Sequence, residues 1–89
     1  MIVTTNTILE SLTRPGEETQ ASALGTLGGA NIVLQTRILG IWYDVPNGNF
    51  TVPFEVIRSN GPGTALRLVV SAATASSNIE LNLTALRES

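Results

Sequence analysis

Leu66-Arg67-Leu68-Val69-Val70-Ser71-Ala72-Ala73 is followed by Thr74-Ala75-Ser76-Ser77 and then by Asn78-Ile79-Glu80-Leu81-Asn82-Leu83-Thr84-Ala85. In each flanking run every second residue is apolar, the period of a strand with one buried face. A loop at Thr74–Ser77 sets Ala73 opposite Asn78. Leu66 then meets Ala85, Leu68 meets Leu83, Val70 meets Leu81 and Ala72 meets Ile79, while Arg67 faces Thr84 and Ser71 faces Glu80. A slip of one residue would set leucines against polar side chains, so the register is well specified. The stretch predicts an antiparallel hairpin of Thr64–Ala73 with Asn78–Arg87.

Working upstream, the same period recurs between breakers. Asn31–Leu39 alternates, with Ile32, Leu34 and Ile38 on one face and Val33, Gln35, Arg37 and Leu39 on the other. Gly40 interrupts it. Ile41–Val45 and Phe50–Arg58 flank Pro46-Asn47-Gly48, and Asn60-Gly61-Pro62-Gly63 is a further breaker cluster. A two-residue Asn47-Gly48 loop would pair Pro46 with Asn49 in a position that needs an N–H, which Pro46 lacks. A three-residue loop suits each residue better: Pro46 and Asn47 in a type I turn, Gly48 in the left-handed position. It places Trp42 and Asp44 on a face with Phe50, Val52 and Phe54, and Ile41, Tyr43 and Val45 on a face with Thr51 and Pro53. The expected core is Ile32, Leu34, Trp42, Phe50, Val52, Phe54, Leu66, Leu68, Val70, Ile79, Leu81 and Leu83.

The first 28 residues read less clearly. Met1–Thr7 suits a strand, Ile8, Leu9 and Leu12 suit a helical turn or an irregular strand, Arg14–Glu18 a turn and Gln20–Leu27 a weak strand. Gly28-Gly29 is a loop or hinge. Breaker spacing in a β-branched, Thr-rich chain is the all-β pattern. The expectation is one domain over 1–89, an antiparallel β-sandwich or β-barrel with at most one short helical turn near Ile8–Leu12. Residues 1–28 are its N-terminal arm or strand region and 29–89 its core.

Composition excludes whole classes of chemistry. The chain has 89 residues, five Arg and no Lys, seven acids, and neither His nor Cys. Triads built on His or Cys, zinc sites of the usual kind, disulfides, Schiff bases and a lysine-bearing phosphate loop are all ruled out. So few cations make no basic face for nucleic acid. No apolar run approaches the roughly 18 residues that span a bilayer, and Met1–Asn6 lacks the basic start of a secretion signal. The charged fraction, 13%, is low. A surface built from Thr, Ser, Asn and Gly instead can be covered at modest desolvation cost.

Other residues with chemical potential read as structure. Gly25-Thr26-Leu27-Gly28-Gly29-Ala30 precedes a strand, whereas a phosphate loop precedes a helix. Asp44, Asn47 and Asn49 bring too few carboxylates for calcium. Glu17 and Glu18 sit on a turn, where adjacent side chains diverge. Glu55, Arg58, Arg67, Glu80 and Arg87 read as a solvated outward face. No catalytic pair and no cofactor site emerges, so the chain reads as non-enzymatic. Tyr43 with Ile41, Val45 and Pro53 makes an outward apolar patch suited to a protein interface.

Ile32-Val33-Leu34-Gln35-Thr36, Ile41-Trp42-Tyr43-Asp44-Val45, Phe50-Thr51-Val52 and Gly61-Pro62-Gly63-Thr64-Ala65-Leu66-Arg67-Leu68 follow one another before a closing strand. This order resembles small β-sandwich structural proteins of tailed bacteriophages, head decoration (cement) proteins among them. Their recurring features are a Trp-x-Asp-Val strand and a Gly-Thr-x-Leu-Arg-Leu strand. The chain departs from the pattern at Ala72-Ala73, where a glycine is usual. The resemblance implies a virion structural protein, made in the host cytoplasm, that binds the outside of the capsid as a homotrimer. Its partners would be the major capsid protein and itself, with no nucleic acid, membrane or cofactor. On that reading the subunit contacts fall to Ile41, Tyr43 and Val45, or to Ile57 and Val69. The shell contact falls to Met1–Leu12 and Arg14–Thr19, where Glu17 and Glu18 offer charge to a basic rim. A tail or neck component, or a glycan-binding knob, is the alternative.

Overall fold

The computed structural model describes residues 1–14, 16–59 and 62–86. Its strands are β1 (Ile2–Val3), β2 (Thr7–Leu12), β3 (Glu18–Thr26), β4 (Asn31–Ile38), β5 (Ile41–Phe50), β6 (Phe54–Ser59), β7 (Ala65–Ser71) and β8 (Asn78–Ala85). They form two four-stranded antiparallel sheets, one in the order β1-β8-β3-β6 and the other β2-β7-β4-β5. The fold is a β-sandwich, as the alternation predicts. The helical turn allowed near Ile8–Leu12 is instead β2, paired along its length with β7. The Cα radius of gyration is 12.6 Å, close to the roughly 12 Å of one compact unit of this length.

Among the described residues only β4 and β5 form a hairpin. Every other connection crosses from one sheet to the other. The hairpin of β7 with β8 is therefore incorrect: β7 lies between β2 and β4, and β8 between β1 and β3. The loop chemistry gives the reason. Thr74 Oγ1 donates to Gly28 O at 2.7 Å and Ser77 Oγ donates to Leu27 O at 2.8 Å. Thr74 and Ser77 also close their own turn, through Ser77 N–H to Thr74 O at 3.0 Å and Thr74 N–H to Ser77 Oγ at 2.9 Å. The hydroxyls thus bind the neighbouring β3–β4 connection and carry the chain over the end of the sandwich. The predicted faces survive the change. Leu66, Leu68 and Val70 lie buried on one sheet, Ile79 and Leu81 on the other. Strands packed face to face and strands paired edge to edge satisfy the same period of two.

Pro46-Asn47-Gly48 does not turn a hairpin either. Residues 45–48 are a bulge in edge strand β5. Val33 pairs with Asn49 and Gln35 with Asp44, so β5 carries extra residues where β4 has only Leu34 between those pairs. An edge tolerates Pro46, whose missing N–H faces no partner, and the bulge blunts the edge against pairing with other chains. Asn47 takes a φ of 57°. Gly48 is buried, and a Cβ there would stand 2.8 Å from Val45 O and 3.1 Å from Leu34 O. The β4–β5 turn is Leu39-Gly40, with φ of 51° and 80°, both positive as a type I′ turn requires.

These changes move several side chains. The bulge changes the parity within β5, so Trp42 and Asp44 lie on its outer face while Phe50, opposite Ile32, faces the core. Trp42 is half-buried on the outer face, and Val52 is 64% exposed in the β5–β6 connection. Val45, expected outside, packs against the core from the bulge. Phe50 and Phe54 do meet, stacked at 3.7 Å across the two sheets. Of the two readings of residues 1–28, arm or strand region, the structure has the strand region. These residues supply β1, β2 and the whole of β3, the strand between β8 and β6. Val3, Ala21, Ala23 and Leu27 are core residues. Met1 is tied to β8 by Leu81 N–H to Met1 O at 2.8 Å and by its own ammonium to Leu81 O at 3.1 Å.

Candidate functional site

Register fixes what each sheet shows to solvent. On the outer face of the β2-β7-β4-β5 sheet the side chains fall into rows that run across the strands. One row is Ile8, Val69, Val33 and Asn49; the next is Glu10, Arg67, Gln35 and Asp44; the third is Leu12, Ala65, Arg37 and Trp42. The middle row is bonded. Arg67 Nε–H donates to Gln35 Oε1 at 2.7 Å, and Gln35 Nε2 donates to Asp44 Oδ1 at 2.7 Å. The Arg67 guanidinium also lies over the Trp42 ring, 4.2 Å from its centroid. A guanidinium stacked in this way is held by about 0.5–2 kcal/mol.

The polar row is thus fixed before any partner arrives, so binding loses little side-chain freedom. It is bordered by Ile8, 56% exposed, and Leu12, 70% exposed. Trp and Arg are the residue types most often found at the energetic centre of protein interfaces. A rigid Trp–Arg pair beside exposed aliphatic side chains is therefore chemistry for holding another protein surface.

The residues expected to form interfaces are dispersed. Val69 belongs to this outer face, between Ile8 and Val33. Ile41 and Tyr43 pair with Ile38 and Thr36 on the core side of β4, yet both are about half exposed, at the open edge of their sheet. Ile57 is exposed on the outer face of the opposite sheet, paired with Gln20. Glu17 is half-buried in the turn, where its Oε1 accepts the Arg14 N–H at 3.2 Å. Glu18 is exposed at the start of β3. Glu55 accepts from Gln20 Nε2 at 2.9 Å, and Glu80 pairs with Ile2 on that same outer face. Arg58 is a correction: it has the core-facing parity of Phe54 and Val56. Arg87 lies outside the described residues. Of Gly25–Ala30, expected as a loop, Gly25 and Thr26 instead end β3 opposite Ile79 and Asn78, and Leu27–Ala30 is the connection into β4.

Sequence reading missed Gln35, Ile8 and Leu12 as surface determinants. Gln35 matters only because β4 lies beside β7, which no local pattern reveals. For Ile8 and Leu12 a signal was present: Ile8, Glu10 and Leu12 are alternate residues on a strand, so a shared face follows once that strand is recognised. Compared with family models, curated proteins and solved structures, the chain matches none of them.

Proposed function

We propose that this chain is a non-enzymatic structural protein of a tailed-bacteriophage virion, a decoration protein that lies on the outside of the head and bridges capsid subunits. One observation carries the reading. Trp42 and Asp44 come from the first strand motif that resembles such proteins, and Arg67 comes from the second. The three converge with Gln35 into one bonded cluster on an exposed sheet face. On this proposal the outer face of the β2-β7-β4-β5 sheet meets the major capsid protein. The exposed Ile41 and Tyr43 side chains on β5 meet a second copy in a closed trimer by side-chain packing, without strand pairing across the bulged edge. A clip across subunits stabilises a shell by its own binding free energy, and linked copies gain from effective concentration. Each contact then has no need to be strong, which suits a face with one rigid polar row.

Purified heads and tails separated and analysed by mass spectrometry test this directly. The chain is expected with heads, and heads lacking it are expected to release their genome at lower temperature than decorated ones. Recovery with tails alone, or equal rupture temperatures, transfers the reading to a tail or neck component. A glycan-array signal lost on removal of the exposed Tyr43 ring transfers it to a glycan-binding knob.

A further inference from the structure

The interior of the sandwich changes character along its length. On β6 the core-facing residues run Phe54, Val56, Arg58, and on neighbouring β3 they run Ala23, Ala21, Thr19. Thr19 and Arg58 are direct cross-strand partners, so the apolar stripe ends in a hydroxyl beside a guanidinium. Thr19 is 1% exposed. Its Oγ1 and the Arg58 Nε are both sealed from solvent and both lack a hydrogen-bond partner. Arg58 as a residue is only half-buried, so its side chain reaches solvent through other atoms.

Two adjacent buried donors without an acceptor are costly, and one of them belongs to a permanent cation. The glutamates nearest in register do not compensate it. Glu18 pairs with Ser59 and Glu55 with Ser22, which puts both on the outer face of the sheet. A water would satisfy the two protons, but an anionic oxygen makes the shorter and stronger, charge-assisted bond to the Arg58 Nε–H. Placed between the two donors, it satisfies both.

We infer that Thr19 and Arg58 form a binding site for a single carboxylate or phosphate group at the end of the sandwich interior. The Arg58 Nε–H and the Thr19 hydroxyl donate to it. The site is separate from the outer face described above and does not depend on the role proposed for that face.

The test uses the whole chain labelled with nitrogen-15. Inorganic phosphate is titrated against chloride at constant ionic strength, and the blocked peptide Ac-Ala-Asp-Ala-NH2 is titrated separately. The Arg58 Nε–H and Thr19 amide signals are followed. Saturable shifts of both are expected. Tighter saturation by the peptide marks a protein-borne carboxylate, and tighter saturation by phosphate marks a free anion. A ligand at about ten times its Kd should also raise the thermal midpoint by roughly 5–10 °C. Arg58→Met should abolish both responses. Thr19→Val, which keeps the shape of the side chain, should weaken them and serves as the test if Arg58→Met does not fold. Shifts that are absent, that never saturate, or that persist unchanged in the folded variants overturn the site.

Discussion

Ala72 and Leu39 hold backbone angles that oppose their side chains. Ala72 has a φ of 56° at the end of β7, and Leu39 has a φ of 51° in the β4–β5 turn while 95% exposed. Left-handed backbone costs a residue with a Cβ about 1–2 kcal/mol, and glycine's extra freedom when unfolded returns roughly 0.5–1 kcal/mol of that. Ala72→Gly is therefore expected to raise unfolding stability by about 0.5–1 kcal/mol. Leu39→Asn should gain a similar amount by giving the turn its preferred Asn-Gly pair. Urea titration checks both, and a loss at either position would show that its side chain makes a contact outweighing the strain. In the core the direction reverses: Leu68 is fully buried, and Leu68→Ala should cost about 2–5 kcal/mol. That Leu68 is buried was legible in the sequence, because its alternation with Arg67 and Val69 leaves one choice of face. That Ala72 is strained was not, since a period of two says nothing of φ. The clue was indirect: alanine stands there where the resembling proteins favour glycine.

At the scale of elements, strands were legible and their partners were not. β4, β7 and β8 follow from alternation alone. β3 read as weak because its core residues are Ala21 and Ala23, small side chains set between Val56 and Leu83 and between Phe54 and Leu81. Pairing failed wherever a loop's role depended on a distant segment. Thr74 and Ser77 bond to Leu27 and Gly28, and nothing within Thr74–Ser77 announces that. Pro46-Asn47-Gly48 has the composition of a turn, and a bulge needs the same residues: a proline at an unpaired edge, a left-handed asparagine, and a glycine under a close carbonyl. The bulge reading carries its own prediction. Gly48→Ala sets a Cβ against backbone oxygens of β5 and β4, and overpacking of that kind costs about 1–3 kcal/mol. Hydrogen exchange should then speed up in β4 and β5 while β8 and β3 keep their protection. An unchanged exchange pattern would show that Gly48 is not pressed against those oxygens and would overturn the bulge geometry.

For the whole molecule, the two outer faces offer partners different chemistry. The β1-β8-β3-β6 sheet shows Glu18, Glu55 and Glu80 with Gln20, Asn82 and Thr84, and among them the exposed Ile2, Leu24 and Ile57; no arginine shares that parity among the described residues. The opposite sheet shows the Arg67–Gln35–Asp44 row between Ile8 and Leu12. Both faces carry exposed aliphatics, but only the second sets them beside a stacked Trp–Arg pair, whereas covering the first would desolvate three carboxylates with no cation among its outward described residues. Attachment should therefore be lost from one side only. Ile8→Thr with Leu12→Thr removes apolar area from residues already more than half exposed, so the fold should survive with a midpoint within a few degrees of the parent. Thr retains strand preference at both positions. Ile57→Thr makes the matching change on the acidic face and is the control. In co-sedimentation with undecorated heads, the double variant should fall to background while Ile57→Thr pellets as the parent does. Arg67→Lys should bind less than the parent, since a lysine keeps the charge and loses both the stack on Trp42 and the Nε–H bond to Gln35. If Ile57→Thr is the variant that releases, the acidic sheet is the binding face. If all variants pellet equally, the contact lies at the loops or strand edges and the Trp42–Arg67 row serves only to stiffen its sheet.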